Sequence, residues 1–482
     1  MENRVTIENV QPTTNPMYLR YPPQSVPPAD TRFQSFRRNA PQMYSAGSAA
    51  LILVSGGMNI AWSCGLLHIQ DFQTDTHIMI CWYIAAIIGA IISSFALKRV
   101  QKRLIYLFSS ALTLIGGILF LTIYDLYGGI AAARYLNGFA VGLVFVPMMV
   151  LIGESVISDK RGKFAALLEM SSFALGIFLQ TLFTAAYYDF TPTIYNEFGS
   201  TQVHGITVIV CGALSCFLSY FFFIESPVYH LLRSNENEAI DCLRRLQHPS
   251  VYTHETHQQF DELKRYIDVN ERIDGLAVPA LLKLCLHRAL VSLAFSPLTI
   301  IALVLAYSIN VGPRDTWPLV IFGLLFWLGT LVPACIMDTV GRKKVLLIGA
   351  LVSGVVAFVI GGIFYDLINL YSSSQMGIVM YMLFILAFSA GFFSVSSSAY
   401  LTEAFPLHLK PFYIAAAFVV QMLVLLIIGV CSFDRNSLEA YYITSGVFYV
   451  AFFAAGIVFL PETKQNSLRN AQSKFATFMN GW

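Results

Sequence analysis

Residues 134–162 read RYLNGFAVGLVFVPMMVLIGESVISDKRG. Arg134 opens an apolar run, and an ionisable residue inside such a run is costly, so it is a functional candidate by default. Gly138 and Gly142 follow at i+4 and i+8 and share its helical face. Small residues at that spacing let a second helix approach closely in lipid. Glu154 follows the run, before a basic turn, so the stretch predicts a membrane-spanning helix that ends in a charged loop.

The same pattern returns in the second half of the chain. Glu403 is followed seven residues later by Lys410, as Glu154 is by Arg161. Two further features are repeated. The basic loop 98–103 recurs at 338–344, and the acidic segment 224–227 recurs at 460–463. The repeated features lie about 240 residues apart and keep their order along the chain. This repetition indicates a duplicated chain, as in transporters that are built from two similar halves.

The composition indicates a membrane protein. Of the 482 residues, 56% are apolar and only 12% are charged, which is more apolar surface than a soluble protein can bury. The net charge of +2 is uninformative about nucleic acid, and we expect no nucleic-acid partner. The eight cysteines are scattered without a metal or redox spacing and are interpreted as packing residues. We therefore expect no metal and no cofactor. The sequence also shows no nucleophile–base pair that would indicate an enzyme.

Apolar runs of spanning length predict an all-α membrane protein with twelve transmembrane helices in two six-helix halves. The runs are 46–67, 77–97, 104–123, 129–152, 164–188, 203–223, 288–309, 317–337, 344–365, 377–402, 412–431 and 441–460. The predicted regions are a disordered cytosolic tail (1–45), the first half (46–223), a linker with short helices (224–287), the second half (288–460) and a second cytosolic tail (461–482). The lipid bilayer is the expected environment.

The orientation follows from basic residues in the short loops. One end of the predicted bundle, here called the basic end, carries the loops at 98–103, 160–163 and 342–344. The loops of the opposite end contain only Arg314 and Arg435. Positive loops stay in the cytosol, so both termini are predicted to be cytosolic.

Several motifs together resemble the sugar-porter branch of the major facilitator superfamily. They are Arg134-x3-Gly138-x3-Gly142, Glu154 with Arg161-Gly162, Glu225-Ser226-Pro227, Asp338-x2-Gly341-Arg342-Lys343, Glu403-x-Phe405-Pro406 and Pro461-Glu462-Thr463-Lys464. The chain is similar over residues 46–468 to facilitative glucose transporters and, in its short outer loops, to insect trehalose facilitators. The resemblance implies a twelve-helix bundle that works by alternating access and resides in the plasma membrane.

The charged motifs predict a gating network at the inner helix ends. Its expected members are Arg134, Glu154, Arg161, Lys102, Arg103, Glu225, Asp338, Arg342, Lys343, Glu403, Lys410 and Glu462. A single exposed ion pair contributes only about 0–1 kcal/mol, but a network over both halves can bias a two-state equilibrium. The alternative is that these are orienting charges with incidental acids.

The sequence departs from the family in the predicted cargo site. The seventh apolar run has Ser296-Pro297-Leu298-Thr299 where sugar porters carry amides, and the tenth lacks the family's proline and tryptophan. The remaining polar candidates for substrate binding are Ser63, Glu169, Gln180, Ser292, Ser296, Thr299, Ser398 and Gln421. Alternatively, the serines and threonines pack between helices and do not bind cargo. For Gln180 both interpretations stay open, a contact between helices or a position in the cargo cavity.

Glu169 takes the place of the family's sugar-site glutamine. We expect it roughly 8 Å inside the bundle from the basic end, at 1.5 Å per residue. As a cavity acid it could bind a cation, a hydroxylated cargo or a proton. The alternative is an interfacial side chain that snorkels to water.

The predicted function is transport of a sugar or a related small polyhydroxylated solute. Proton symporters of the family place an acid near Ser63, opposite the arginine that matches Arg134, and this chain has none. That absence favours a facilitator. The alternatives are a transporter-like sensor or scaffold that no longer transports, and a family member with a non-sugar or proton-coupled cargo. The identity of the solute and the oligomeric state stay open at this stage.

Overall fold

The structure is a computed structural model that describes residues 37–66, 75–187, 199–271, 277–431 and 437–477. Most of the predicted N-terminal tail, the end of the C-terminal tail and Arg435 lie outside these residues. Within them the regular structure is helical, as the apolar runs predict.

The first half consists of eight helices. They are α1 (Ala40–Gly47), α2 (Ala50–Ser63), α3 (Thr76–Ala96), α4 (Lys102–Thr122), α5 (Tyr127–Ser155), α6 (Ser158–Ala166), α7 (Ser172–Ala186) and α8 (Ser200–Phe221). A π-helical turn, Leu167–Ser171, makes α6 and α7 one continuous segment. At the start of α3, the Asp75 carboxylate accepts the His77 amide N–H at 2.8 Å and caps the helix.

The linker and the second half contain eleven further helices. The linker helices are α9 (Pro227–Leu231), α10 (Glu236–Arg245) and α11 (His254–Glu271). The remaining helices are α12 (Val278–Ala294), α13 (Pro297–Asn310), α14 (Trp317–Val340), α15 (Arg342–Tyr365), α16 (Ser373–Glu403), α17 (Lys410–Val430), α18 (Ser437–Phe459) and α19 (Leu468–Ala476). A short 3₁₀ helix, Leu367–Tyr371, joins α15 to α16.

Eleven helical segments in the described residues are long and apolar enough to cross a membrane. The number becomes twelve if α1 and α2, which are bent by 49° at their junction, form one span. The predicted all-helical membrane fold is thus confirmed at the level of eleven to twelve spans.

Two predicted boundaries differ from the structure. The span expected at 288–309 begins ten residues earlier, at Val278, and is broken at Phe295 before Pro297. Polar residues on α12 are buried inside the protein: His287 and Arg288 are both 0% exposed, so polar side chains there do not mark a water boundary. The N-terminal tail expected to reach residue 45 overlaps α1, which begins at Ala40.

Small residues bring α3 and α5 close together, as their spacing predicts. A Cβ atom on Gly142 would lie 2.8 Å from the Ala90 amide nitrogen, and one on Gly138 would collide with the Trp82 carbonyl oxygen. The two halves meet most extensively along two other helix pairs, α3 with α17 and α7 with α14. Contacts of α6 with α14 and α16, and of α5 with α16 and α17, also join the halves.

Candidate functional site

A network of buried charges joins the two halves at the basic end. Arg342 donates to the Glu403 carboxylate and lies 3.4 Å from Asp338. Arg161, from the first half, reaches the other oxygen of Glu403 at 3.5 Å. The Asp338 carboxylate also accepts the Lys163 backbone N–H at 2.8 Å. These two polar contacts join the halves at the basic end.

Each half contains its own version of one charged unit. In the first, Lys102 opens α4 and lies 3.5 Å from Glu154 and 3.2 Å from Glu225, which also accepts its backbone N–H. In the second, Arg342 opens α15, pairs with Glu403 and donates its backbone N–H to Glu462 at 3.2 Å. Glu225 follows the sixth span of the first half, and Glu462 follows the sixth span of the second half. Each of these acids thus binds the first turn of a helix, where the helix dipole favours negative charge.

The repeat breaks down at one position. Arg161 and Lys410 each follow an acid by seven residues, but only Arg161 pairs with an acid of the other half. The Lys410 side chain is buried, and its ammonium group has no hydrogen-bond partner in the described part of the chain. One Glu154 oxygen likewise lacks a hydrogen bond there. The buried charges of the two halves are therefore arranged asymmetrically.

Three residues expected in this network have different principal contacts. Arg103 donates to the Tyr220 carbonyl at 2.7 Å, and the Lys343 ammonium donates to the Ile457 carbonyl at 2.7 Å. Arg134 precedes Glu154 by twenty residues on α5, which separates the two by about 30 Å along the helix. The grouping of Arg134 with the basic-end charges is therefore wrong in spatial terms.

Arg134 instead belongs to a polar cluster inside the first half. Its guanidinium donates to the Ser63 hydroxyl and the Ile78 carbonyl, and it lies 4.1 Å from the centre of the Trp62 ring. Gln180 donates to the Leu66 carbonyl at 3.0 Å. Ser63 and Gln180, two cargo candidates, are thus engaged in contacts between helices of one half.

The serine and threonine candidates of the second half contribute to local structure. The Ser296 hydroxyl accepts the Thr299 backbone N–H at 3.4 Å and caps α13. It also lies 2.8 Å from the Tyr441 hydroxyl. The Ser292 hydroxyl donates to the Gln421 carbonyl at 3.0 Å. Ser398 is buried, and its hydroxyl lacks a partner among the described residues.

The centre of the bundle contains a second connection between the halves, here called the central pair. Glu169, in the π-helical turn, receives two hydrogen bonds from the guanidinium group of Arg288 on α12. The second of these, from Nη2 to Oε2, measures 2.8 Å. Arg288 Nη1 also donates to the Gln421 side-chain oxygen at 3.0 Å. Both members of the pair are 0% exposed.

Two aromatic rings lie beside the central pair. Phe145 of the first half stacks on Phe418 of the second, with ring centres 4.1 Å apart and ring planes inclined by 28°. The Arg288 guanidinium lies 5.8 Å from the centre of the Phe145 ring. Each half therefore supplies one charge and one aromatic face to this site.

These groups lie at a common depth. Phe145, Glu169, Arg288 and Gln421 are each ten or eleven residues from the basic end of their helical segments. At 1.5 Å per residue this is about 15–16 Å, half of a hydrocarbon core of about 30 Å. Glu169 is thus about twice as deep as the sequence predicts, because its segment begins at Ser158 rather than at 164. Transporters of two repeats bind substrate near the midplane, between the repeats.

Arg288 is the central residue that sequence reasoning misses. A run that begins at 288 places the arginine at the boundary of the span, where it does not stand out as an intramembrane charge. The available signal was the apolar character of residues 278–286, which extends the run and turns Arg288 into an intramembrane charge. Removing one partner of a buried ion pair typically costs about 3–5 kcal/mol, because the remaining charge is left uncompensated.

A polar cavity of about 630 Å³ adjoins the charges of the basic end. Glu154 and Arg161 line it, together with Tyr266 of α11 and Leu468 of α19. Burial raises the pKa of the Tyr266 hydroxyl, which accepts a hydrogen bond from Gln472 at 3.1 Å. The linker and the C-terminal helix therefore line a cavity beside these charges.

Comparison with known proteins gives a consistent assignment. The chain is 23% identical over 416 residues to the facilitated trehalose transporter Tret1 of Apis mellifera ligustica, covering 80% of this chain and 79% of the relative. It is also 23% identical over 459 residues to Tret1 of Bombyx mori, covering 89% and 86%.

The fold is also shared with a solved transporter. The proton:xylose symporter XylE, of the major facilitator superfamily, superposes in its complex with 6-bromo-6-deoxy-D-glucose with a TM-score of 0.68. The sequence identity is 17%, over 89% of this chain and 99% of XylE. The model of the family described as sugar (and other) transporter matches residues 38–475. The chain therefore belongs to the sugar (and other) transporter family and has the fold of the major facilitator superfamily.

Proposed function

We propose that the chain moves a sugar or a related small polyhydroxylated solute across the membrane by alternating access. The observation that carries the proposal is the pair of polar contacts between halves at the basic end, Arg161 with Glu403 and the Lys163 N–H with Asp338. Charged contacts beside a water-filled cavity can part and re-form as the halves move. The network contains an ion-paired arginine from each half, as a gate between two rigid bodies requires.

The solute class is proposed from the relatives. Tret1 is named a facilitated trehalose transporter and XylE a proton:xylose symporter. In this chain the buried Arg134 faces the Ser63 hydroxyl, where proton symporters of the family place an acid. We therefore propose downhill transport.

The proposed orientation places the basic end and both termini in the cytosol of a cell whose plasma membrane holds the protein. The support is the concentration of short basic loops at that end. An epitope tag on the N-terminus should be reached by antibody only after permeabilisation. Staining of intact cells would contradict the orientation.

Uptake in transporter-deficient cells tests the function. Cells that display the chain should take up labelled D-glucose, trehalose or xylitol faster than mock-transfected cells, with rates normalised to surface biotinylation. For a facilitator, the internal concentration should not exceed the external one, and a pH gradient should not change that limit. Protein at the surface that moves none of the three solutes would contradict the proposal.

A further inference from the structure

We propose that the central pair, Glu169 with Arg288, is an internal substitute for cargo. In the empty protein the pair fills the central site and lets the halves close. A polyhydroxylated cargo displaces it by hydrogen bonding to both charged groups. The inference rests on the proposed function and adds a role for Arg288 and for the return of the empty transporter.

The pair is divided between the two moving bodies. Glu169 and Phe145 come from the first half, whereas Arg288, Gln421 and Phe418 come from the second. Arg288 keeps its contact with Gln421 if the halves separate, because both lie in the second half. Its two bonds to Glu169 must break. Any motion that opens the bundle to the midplane therefore breaks the central pair.

Closing the bundle is the energetically costly step, because it buries the charged groups of Glu169 and Arg288. When the bundle is open, water hydrates the separated carboxylate and guanidinium groups. When it closes, both groups enter a site in which they are 0% exposed, and a buried charge without a partner is strongly unfavourable. The empty protein can therefore close only by re-forming the pair, and the loaded protein only if cargo replaces each partner.

Hydroxyl groups are suited to this replacement. A carboxylate only accepts hydrogen bonds and a guanidinium only donates them, whereas a hydroxyl does both. Neighbouring hydroxyls of one sugar can donate to Glu169 and accept from Arg288, and bonds to charged groups are among the stronger ones. The Phe145 and Phe418 rings can cover the C–H faces of the cargo, as aromatic side chains do in many ligand sites.

This arrangement has a kinetic consequence. Net uptake requires the empty protein to return through its closed state, whereas exchange of cargo on both sides uses only the loaded protein. The central pair should therefore accelerate net uptake more than exchange. A residue that serves only folding or general packing would affect both fluxes equally.

The test uses the full chain in liposomes and the variant Glu169→Gln, which removes one charge and leaves Arg288 without its ionic partner. Labelled D-glucose and trehalose are measured as net uptake into empty liposomes and as exchange at equal concentration. We expect net uptake to fall about tenfold or more, with exchange reduced less than about threefold. Glu439→Gln, a matched change at a membrane-helix residue away from the central pair, should leave the ratio of the fluxes unchanged.

A charge swap, Glu169→Arg with Arg288→Glu, provides the rescue, since it re-forms the pair in reverse. It should restore the ratio of net uptake to exchange toward that of the unmodified chain. An equal fall of both fluxes in Glu169→Gln, or no fall in net uptake, would overturn the inference.

A second measurement needs no cargo and separates this inference from the proposed function. Spin labels at exposed positions of the two halves, Val100 with His408 at the basic end and Asp125 with Ile368 at the opposite end, report their separation. The exposed Cys335 and Cys431 are first replaced by serine. In sugar-free protein, Glu169→Gln should lower the fraction of molecules in which the two basic-end labels are close together, or it should change the distance between the two labels at the opposite end. Unchanged distances at both ends would overturn the inference even if sugar transport were established.

Discussion

At the scale of single residues, buried charges differ in whether they have a partner. Arg161 lies 3.5 Å from Glu403, whereas Lys410, at the matching position of the second half, has a buried ammonium group without a hydrogen bond in the described chain. A buried charge that lacks good partners is strongly unfavourable, so an apolar side chain of similar volume should be more stable at that position. These two positions should therefore respond oppositely to the same change.

We predict that Lys410→Met increases the free energy of unfolding by about 1–4 kcal/mol, whereas Arg161→Met decreases it by about 1–3 kcal/mol. The first change removes an unsatisfied cation, and the second leaves Glu403 with only Arg342. Thermal unfolding in detergent, followed by size-exclusion chromatography with fluorescence detection, measures both. A lower melting temperature for Lys410→Met would contradict the predicted asymmetry.

The sequence predicts which residues carry the charge but not which partner each one has. The acid-to-base spacing predicts charges clustered at the basic end, where the structure pairs Arg161 with Glu403 and Lys102 with Glu225. It gives no information on Arg103, because the Tyr220 carbonyl that it binds depends on how α8 packs against α4. Nor does spacing within one helix indicate that Glu169 pairs with a residue 119 positions away. Such contacts depend on tertiary packing.

At the scale of helices, apolar runs locate the spans well and their ends less well. The run predicted at 288–309 lies inside the observed α12 and α13, but charged and polar residues near its start obscure the first ten positions. His287 is fully buried and bonds the Phe393 carbonyl at 3.0 Å. A helix that meets protein rather than lipid tolerates such residues, so composition alone places its end too late.

The turn between α14 and α15 depends on one glycine. Gly341 has φ = +113°, and a Cβ atom there would lie 2.7 Å from a Glu462 carboxylate oxygen. That carboxylate accepts the backbone N–H groups of Arg342 and Lys343 at 3.2 and 3.1 Å. Both the backbone conformation and the helix cap therefore require the absence of a side chain.

We predict that Gly341→Ala lowers the free energy of unfolding by about 1–3 kcal/mol, from an unfavourable positive φ and a displaced cap. Gly362→Ala is the matched control in the same helix, since no atom lies within 4 Å of its added Cβ. It should be neutral or stabilising by up to about 1 kcal/mol. The same melting assay compares them, and equal melting temperatures would contradict this account of the turn.

At the scale of the whole molecule, charged side chains connect the halves at two depths. The network at the basic end borders a polar cavity, whereas the central pair is sealed about 15 Å deeper. Opening the basic end therefore requires the outer contacts to part before water can reach the central charges. The duplicated motifs predict the two-half architecture and a charged network at the basic end, but they do not predict the central pair.

The last prediction concerns the outer network and uses two arginines of the same end. Arg161→Glu would place a second carboxylate against Glu403 in a buried site and oppose closure of the basic end. Because alternating access needs that closure in every cycle, we expect sugar uptake to fall at least about tenfold at equal surface protein. Arg103→Glu makes the same charge change at the same end, but Arg103 only binds a carbonyl within its own half. It should retain at least about half of the uptake. If both variants transport equally well, or lose transport equally, the contact between Arg161 and Glu403 is not a gate and the basic residues serve only to orient the chain.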